Sequence, residues 1–384
     1  MSGLAHVART LGNQASNYLR ASSVSAAARA RDPLPAAPVA VFFAGGPVEF
    51  YQVADWLPVL EALDESIPLV VVCTRPDGAA AALAATRLPV RLARGAPELE
   101  ALVGSGLRGV LYVNHLERNF RMLRFAEPVH IYLGHGESDK DSSVSNQNKA
   151  YDQVFVAGPA GRQRLTAALR GFDAATRAPM VGRPQLDHVG RGAPNWSRDG
   201  RVRVLYAPTW EGDRPRMAYG SVASHGVALV RALVDDGGFR VIYRPHPRAG
   251  TTSPAYRAAD RAVRDVLEGT DHLVDAGPYG WQLAFADVCV TDPSAVAYDW
   301  LATGRPLLVT APVDTRTTTP TSRLLELAPR LAAADTPRIP EAVRDILASM
   351  PAGWEGLVAH YFGDVSPGAA TQRFEAAVAS ALDS

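Results

Sequence analysis

The chain has 384 residues, 47% hydrophobic and 20% charged, which is enough material for two cores of ordinary globular composition. Its 39 basic and 39 acidic residues cancel, so no overall field draws it to nucleic acid and any polyanion site must be local. No apolar run approaches the roughly 18 residues of a membrane-spanning helix, and Cys73 and Cys289 sit inside apolar strand-like runs, as buried reduced thiols of a reducing cytoplasm do.

Residues 1–34 read as a basic leader. Arg9, Arg20, Arg29 and Arg31 precede any acidic residue, and Leu4, Val7, Leu11, Tyr18 and Leu19 have rough helical spacing. That pattern suits a helix lying on an anionic membrane surface, while the Ala/Ser/Arg composition equally suits a disordered leader. The continuous apolar centre of a secretion signal is missing.

From Pro38 onward apolar runs alternate with helical patterns. Val39–Ala44, Ile67–Thr74, Gly109–Asn114, Val129–Gly134 and Gln153–Ala157 predict short buried strands, with helices over Ala54–Leu63, Pro97–Val103 and Ala160–Leu169. Residues 183–201, polar and punctuated by Gly and Pro, predict a linker. A second series follows: strands Val202–Ala207, Arg240–Tyr243, Val288–Thr291 and Pro306–Thr310, and helices Val222–Val234, Ala255–Leu267, Ala295–Ala302, Ala342–Met350 and Ala369–Leu382. Strands interleaved with helices imply parallel sheets covered on both faces. The expected fold is therefore α/β: two Rossmann-like, doubly wound domains, residues 35–190 and 198–366, with a terminal helix over 367–384. Ligand is expected in the cleft where the carboxyl ends of the strands face each other.

Four segments carry chemistry. In the first, a strand ends in Gly134-His135-Gly136 and runs into Glu137-Ser138-Asp139-Lys140. An imidazole on a tight turn can accept a proton from an attacking hydroxyl near neutral pH. A turn histidine bonded only to neighbouring backbone is the alternative. Gly136, Glu137 and Lys140 fall on the expected acceptor side. Asp139-Lys140-Asp141 has the form of the Asp-x-Asp metal motif found in some glycosyltransferases. Two carboxylates around a lysine are ordinarily a solvated loop, so no metal or other cofactor is assigned, although the chemistry admits a divalent ion.

The second segment, Tyr206-Ala207-Pro208-Thr209-Trp210, ends a strand with the Thr209 hydroxyl and an indole, suited to phosphate and to a nucleotide. Trp210 as core is the alternative. The third, Tyr243-Arg244-Pro245-His246-Pro247, fixes the backbone around His246 and offers the Arg244 fork to phosphate oxygens. The fourth is Val290-Thr291-Asp292-Pro293-Ser294, where a strand runs into a helix start whose amides suit an anion, with Asp292 and Ser294 beside it. Either of those two side chains could serve as a helix cap instead.

Together these segments resemble the CDP-glycerol glycerophosphotransferase family, the teichoic-acid primases and polymerases. The resemblance runs from about Val129 to Ala377. It includes Lys149-Ala150-Tyr151-Asp152, Gly182-Arg183-Pro184-Gln185-Leu186-Asp187 and Tyr361-Phe362-Gly363-Asp364. It implies a fold of glycosyltransferase-B (GT-B) type, a CDP-linked polyol donor, and transfer of polyol phosphate to an acceptor hydroxyl with release of CMP. By position, His135 would activate the acceptor; Arg244 and His246 would hold the pyrophosphate, assisted by Thr209 and Ser294. The family also implies a lipid-linked or polymeric acceptor and a cytoplasmic enzyme peripheral to the inner face of the plasma membrane. Two departures stand out. Glu137-Ser138-Asp139 adds negative charge beside His135, and Pro293 and Ala295 replace an aromatic residue and a serine of the family. They leave open a GT-B glycosyltransferase using a nucleotide sugar, and a catalytically silent nucleotide-sugar-binding envelope protein.

Overall fold

The computed structural model describes residues 22–28, 37–134, 136, 144–188, 193, 196, 199–277, 279–319 and 322–383. Two six-stranded, wholly parallel sheets organise the chain. The first comprises β1 (Val39–Phe43), β2 (Leu69–Cys73), β3 (Val90–Leu92), β4 (Gly109–Tyr112), β5 (Val129–Tyr132) and β6 (Gln153–Val154), in the order β3-β2-β1-β4-β5-β6. The second comprises β7 (Val202–Ala207), β8 (Phe239–Tyr243), β9 (Leu273–Val274), β10 (Val288–Thr291), β11 (Leu307–Thr310) and β12 (Arg330–Leu331), in the order β12-β11-β10-β7-β8-β9. Counted from its own first strand, each sheet has the doubly wound order 3-2-1-4-5-6, which opens a crevice at the strand tips where the winding reverses. These are the two Rossmann-like halves of a GT-B fold.

The central strands are apolar on both faces because helices cover both sides. Leu69-Val70-Val71-Val72-Cys73 is buried throughout, and burial pushes the Cys73 thiol up to about 12, which leaves it inert. Cys289 is likewise free and buried.

The structure departs from the sequence expectation in four places. The helix expected over Ala54–Leu63 is two, Tyr51–Ala54 and Leu57–Leu63, the second with Pro58 in its first turn. The break sets Asp55 and Trp56 in the cleft. The short strands β3, β9 and β12 and the helices Pro76–Ala85, Trp281–Phe285 and Trp354–Phe362 had not been expected. The start of the expected linker is a packed element: Arg183 is buried and Pro184–His188 forms a 3-10 turn. Finally, the helix Ala369–Asp383 returns to the first half, where Phe374, Val378 and Ala381 enter the core beneath β1 and β2.

The return explains two of the motif residues. Gly182 has φ +78°, and a Cβ there would stand 2.7 Å from the Ala370 Cβ, so only glycine lets the helix approach. Asp187 caps that helix by accepting the Gly368 and Thr371 amides at 3.1 and 2.8 Å.

A candidate active cleft between the halves

One cavity of about 2050 Å³ runs between the halves. Gly134 and Gly136 reach it from the tip of β5; Thr209 and Trp210 reach it from β7, Arg244 and His246 from β8, and Ser294 from β10. Gly136 faces the second half so closely that a Cβ there would lie 3.0 Å from the Ala295 Cβ. Tyr51 of the first half meets His246 of the second edge-to-face, ring centroids 5.7 Å apart. Polar strand ends of both halves thus share one space. His135, Glu137 and Lys140, with Asp139 and Asp141, lie outside the described residues. Among the described residues no group of three His, Cys, Asp or Glu side chains gathers to hold a metal ion.

Each donor-side residue is held differently. Asp292 does not line the cavity. It is fully buried, and its carboxylate accepts the Thr209 amide at 2.7 Å, the Ser221 amide at 3.1 Å and the Thr310 hydroxyl at 2.5 Å. Burial pushes its carboxyl above the usual range while those donors oppose the shift. The expected phosphate contact is therefore a positioning residue that fixes the Thr209 turn. Thr209 itself is held at both backbone ends, its carbonyl accepting the Tyr256 hydroxyl at 2.5 Å. Ser294 makes no side-chain cap; its hydroxyl lies 3.4 Å from that of Thr291 at the start of the helix Ala295–Leu301.

Arg244 offers less than its whole fork. Its Nη1 donates to the Asp275 carboxylate and to the Gly277 carbonyl at 3.0 Å. No described residue bonds its Nε or Nη2, and those are the nitrogens available to a phosphate. The His246 Nδ1 accepts the Arg248 amide at 3.0 Å, which puts the ring hydrogen on Nε2. In that tautomer His246 has its Nε2–H to offer as a hydrogen-bond donor. Trp210 does line the cavity, with the Arg248 guanidinium 3.7 Å above its ring. Glu211 anchors the next loop, accepting the Gly250, Thr252 and Ser253 amides at 2.9, 2.9 and 3.0 Å.

Five further cleft residues had been given no role from sequence. Trp56 is buried and its indole N–H donates to the Gly134 carbonyl at 2.6 Å. On the floor, Arg183 joins the halves: its Nη2 is 3.3 Å from Asp55, and its Nε is 2.9 Å from Asp299, which also accepts the Tyr279 hydroxyl at 3.1 Å. Burial, the dominant influence, pushes the Asp55 carboxyl up to about 6, against the pull of Arg183. The quoted Arg183 motif was the one available signal for this ion cluster. Asp55 and Asp299 lay inside expected helices with nothing to distinguish them.

The chain resembles known proteins in fold and, over part of its length, in sequence. A variant of the wall teichoic acid polymerase TagF with CDPG superimposes with TM-score 0.62 at 14% identity, covering 97% of this chain and 98% of that one. S. aureus MnaA with UDP gives TM-score 0.55 at 13% identity over 90% and 96% of the two chains. A UDP-N-acetylglucosamine 2-epimerase gives TM-score 0.55 at 14% identity over 88% and 94%. At these identities the likeness establishes the fold. No curated protein sequence matches. Residues 136–317 match the family described as CDP-glycerol:poly(glycerophosphate) glycerophosphotransferase, a span that opens one residue after His135 and takes in every donor-side residue above. Over that span, somewhat less than half of the chain, the sequence is similar to the CDP-glycerol:poly(glycerophosphate) glycerophosphotransferase family.

Proposed function

We propose that the chain transfers a polyol phosphate from a CDP-linked donor to an acceptor hydroxyl during assembly of a cell-wall or capsule polymer. The observation that carries this reading is the shared cavity: the turn flanking position 135 opens onto the same space as Thr209, Arg244, His246 and Ser294. The donor lies against the second half, residues 198–366. Arg244 Nε and Nη2, His246 Nε2 and the Thr209 and Ser294 hydroxyls donate to the pyrophosphate, and Trp210 flanks the nucleotide. The acceptor enters along the first half, residues 35–190.

His135 takes the proton of the acceptor hydroxyl as its oxygen attacks the distal phosphorus. The bond from that phosphorus to the bridging oxygen breaks, and CMP departs with the bond electrons. The donors around it stabilise the charge that gathers on the leaving phosphate. The protein works in the cytoplasm, peripheral to the membrane, with residues 1–34 as the surface contact for a lipid-linked acceptor. No helix among the described residues is long and apolar enough to cross a membrane.

The deciding measurement is the nucleotide released on incubation with CDP-linked polyols and a hydroxyl acceptor. CMP release that depends on acceptor supports the reading. A nucleoside diphosphate product would make the protein a glycosyltransferase, and binding without turnover would make it a silent nucleotide-binding protein.

A further inference from the structure

Gln185 lines the cleft from the 3-10 turn Pro184–His188 and is only 9% exposed, yet neither its carbonyl oxygen nor its amide nitrogen has a hydrogen-bond partner. Buried amides are nearly always paired, because an unpaired one forfeits its water without replacement. Arg183 Nε and Asp299 Oδ1 also lack a hydrogen bond, but they face each other at 2.9 Å as an ion pair; Gln185 has no such compensation.

Its surroundings restrict what the missing partner can be. Two residues earlier, Arg183 is occupied by Asp55 and Asp299, and all three line the same cavity. The Asp55 carboxylate bonds Arg183 through Oδ2, and no described residue bonds its Oδ1. A free anion would face two carboxylates here, and a cation would face Arg183. A carboxamide and a carboxylate oxygen lining one cavity offer both acceptors and donors, the complement of hydroxyl groups, each of which donates and accepts. The floor is also near the phosphate end of the cleft. Asp299 lies on the helix Ala295–Leu301, whose start at Ser294 faces the cavity.

We infer that Gln185 and Asp55 form a subsite for the hydroxyl groups of the unit being transferred, which makes Gln185 a specificity-determining residue for an uncharged, polyhydroxylated group. This rests on the CDP-polyol reading above. A site built to bond a hydroxyl discriminates strongly against the analogue lacking it, because its own polar groups are then left unpaired.

The test compares kcat/KM for CDP-glycerol with that for the CDP ester of a three-carbon alcohol lacking the free hydroxyls, measured as CMP release. Wild-type protein should prefer CDP-glycerol, and Gln185→Met should shrink that preference by about tenfold or more. Unliganded Gln185→Met should melt no earlier than wild type, since an apolar side chain of similar shape removes the unpaired amide. If it fails to fold, Gln185→Asn, which withdraws the amide by one methylene, reads the same ratio. Wild-type protein that uses both donors equally, or a ratio unmoved by substitution, overturns the subsite and leaves the phosphotransferase reading standing. No CMP release from any CDP-linked donor overturns both.

Discussion

The Trp56 indole donates to the Gly134 carbonyl at 2.6 Å, 78 residues away in sequence, while its ring packs on Phe374 at 5.3 Å between centroids. The carbonyl belongs to the residue immediately before His135, so this bond fixes the entry to the turn that carries the proposed base. Trp56→Phe keeps the packing and removes the donor, leaving a half-buried carbonyl without its partner at a cost of about 1 kcal/mol. We expect kcat to fall about tenfold or more with donor KM nearly unchanged. An unaltered kcat at saturating donor would show that the turn is set by other contacts.

Removing Arg183 strands two carboxylates on the floor of the cleft. Arg183→Met should cost about 3–5 kcal/mol in chemical denaturation, the penalty for an uncompensated buried charge. Adding Asp55→Asn and Asp299→Asn to the same chain should recover most of the loss. Additive destabilisation in the triple variant would mean that the three residues do not act as one unit.

The raised Asp55 carboxyl, at about 6 in the folded protein against 3.8 for the free group, makes stability depend on pH. Between those values the folded state holds a proton that the unfolded chain has released. The contribution of Asp55 is therefore full below about pH 4 and disappears as pH rises through 6. Asp55→Asn has no such proton to lose. Its melting temperature relative to wild type should rise between pH 4.5 and pH 7; a constant difference would place Asp55 in a solvated setting.

His246, holding the Arg248 amide on Nδ1, is expected to serve the donor through Nε2–H. His246→Gln, whose amide nitrogen can stand near that position, should retain more activity than His246→Ala. The latter should lose about 10²–10³ in kcat, as when one preorganised donor to a developing oxyanion is removed. Equal losses in the two variants would argue for a protonated imidazole instead.

Much of this was readable in the sequence because parallel strands buried on both faces are unbroken apolar runs and their polar ends stand out. Val202–Ala207 and Val288–Thr291 were expected with the limits observed, and the residues at their tips share a cavity. What escaped was set by tertiary contact. Asp55 and Trp56 looked like two positions in a continuous helix, yet the break between Ala54 and Leu57 is what aims them into the cleft. Asp292 read as a ligand contact because a carboxylate at a strand end gives no sign of which way it faces. Folded, it points inward and bonds the backbone beneath Thr209.

The return of Ala369–Asp383 to the first sheet means that the first half is not a continuous stretch of polypeptide, while the second lies wholly between its two pieces. An expression fragment ending before residue 369 would lose Phe374 from beneath Trp56, and with it the support of the Gly134 turn. The tail of the chain thus belongs to the wall that the first half gives the cleft, and hinge motions of the two lobes must twist two separate peptide crossings rather than one.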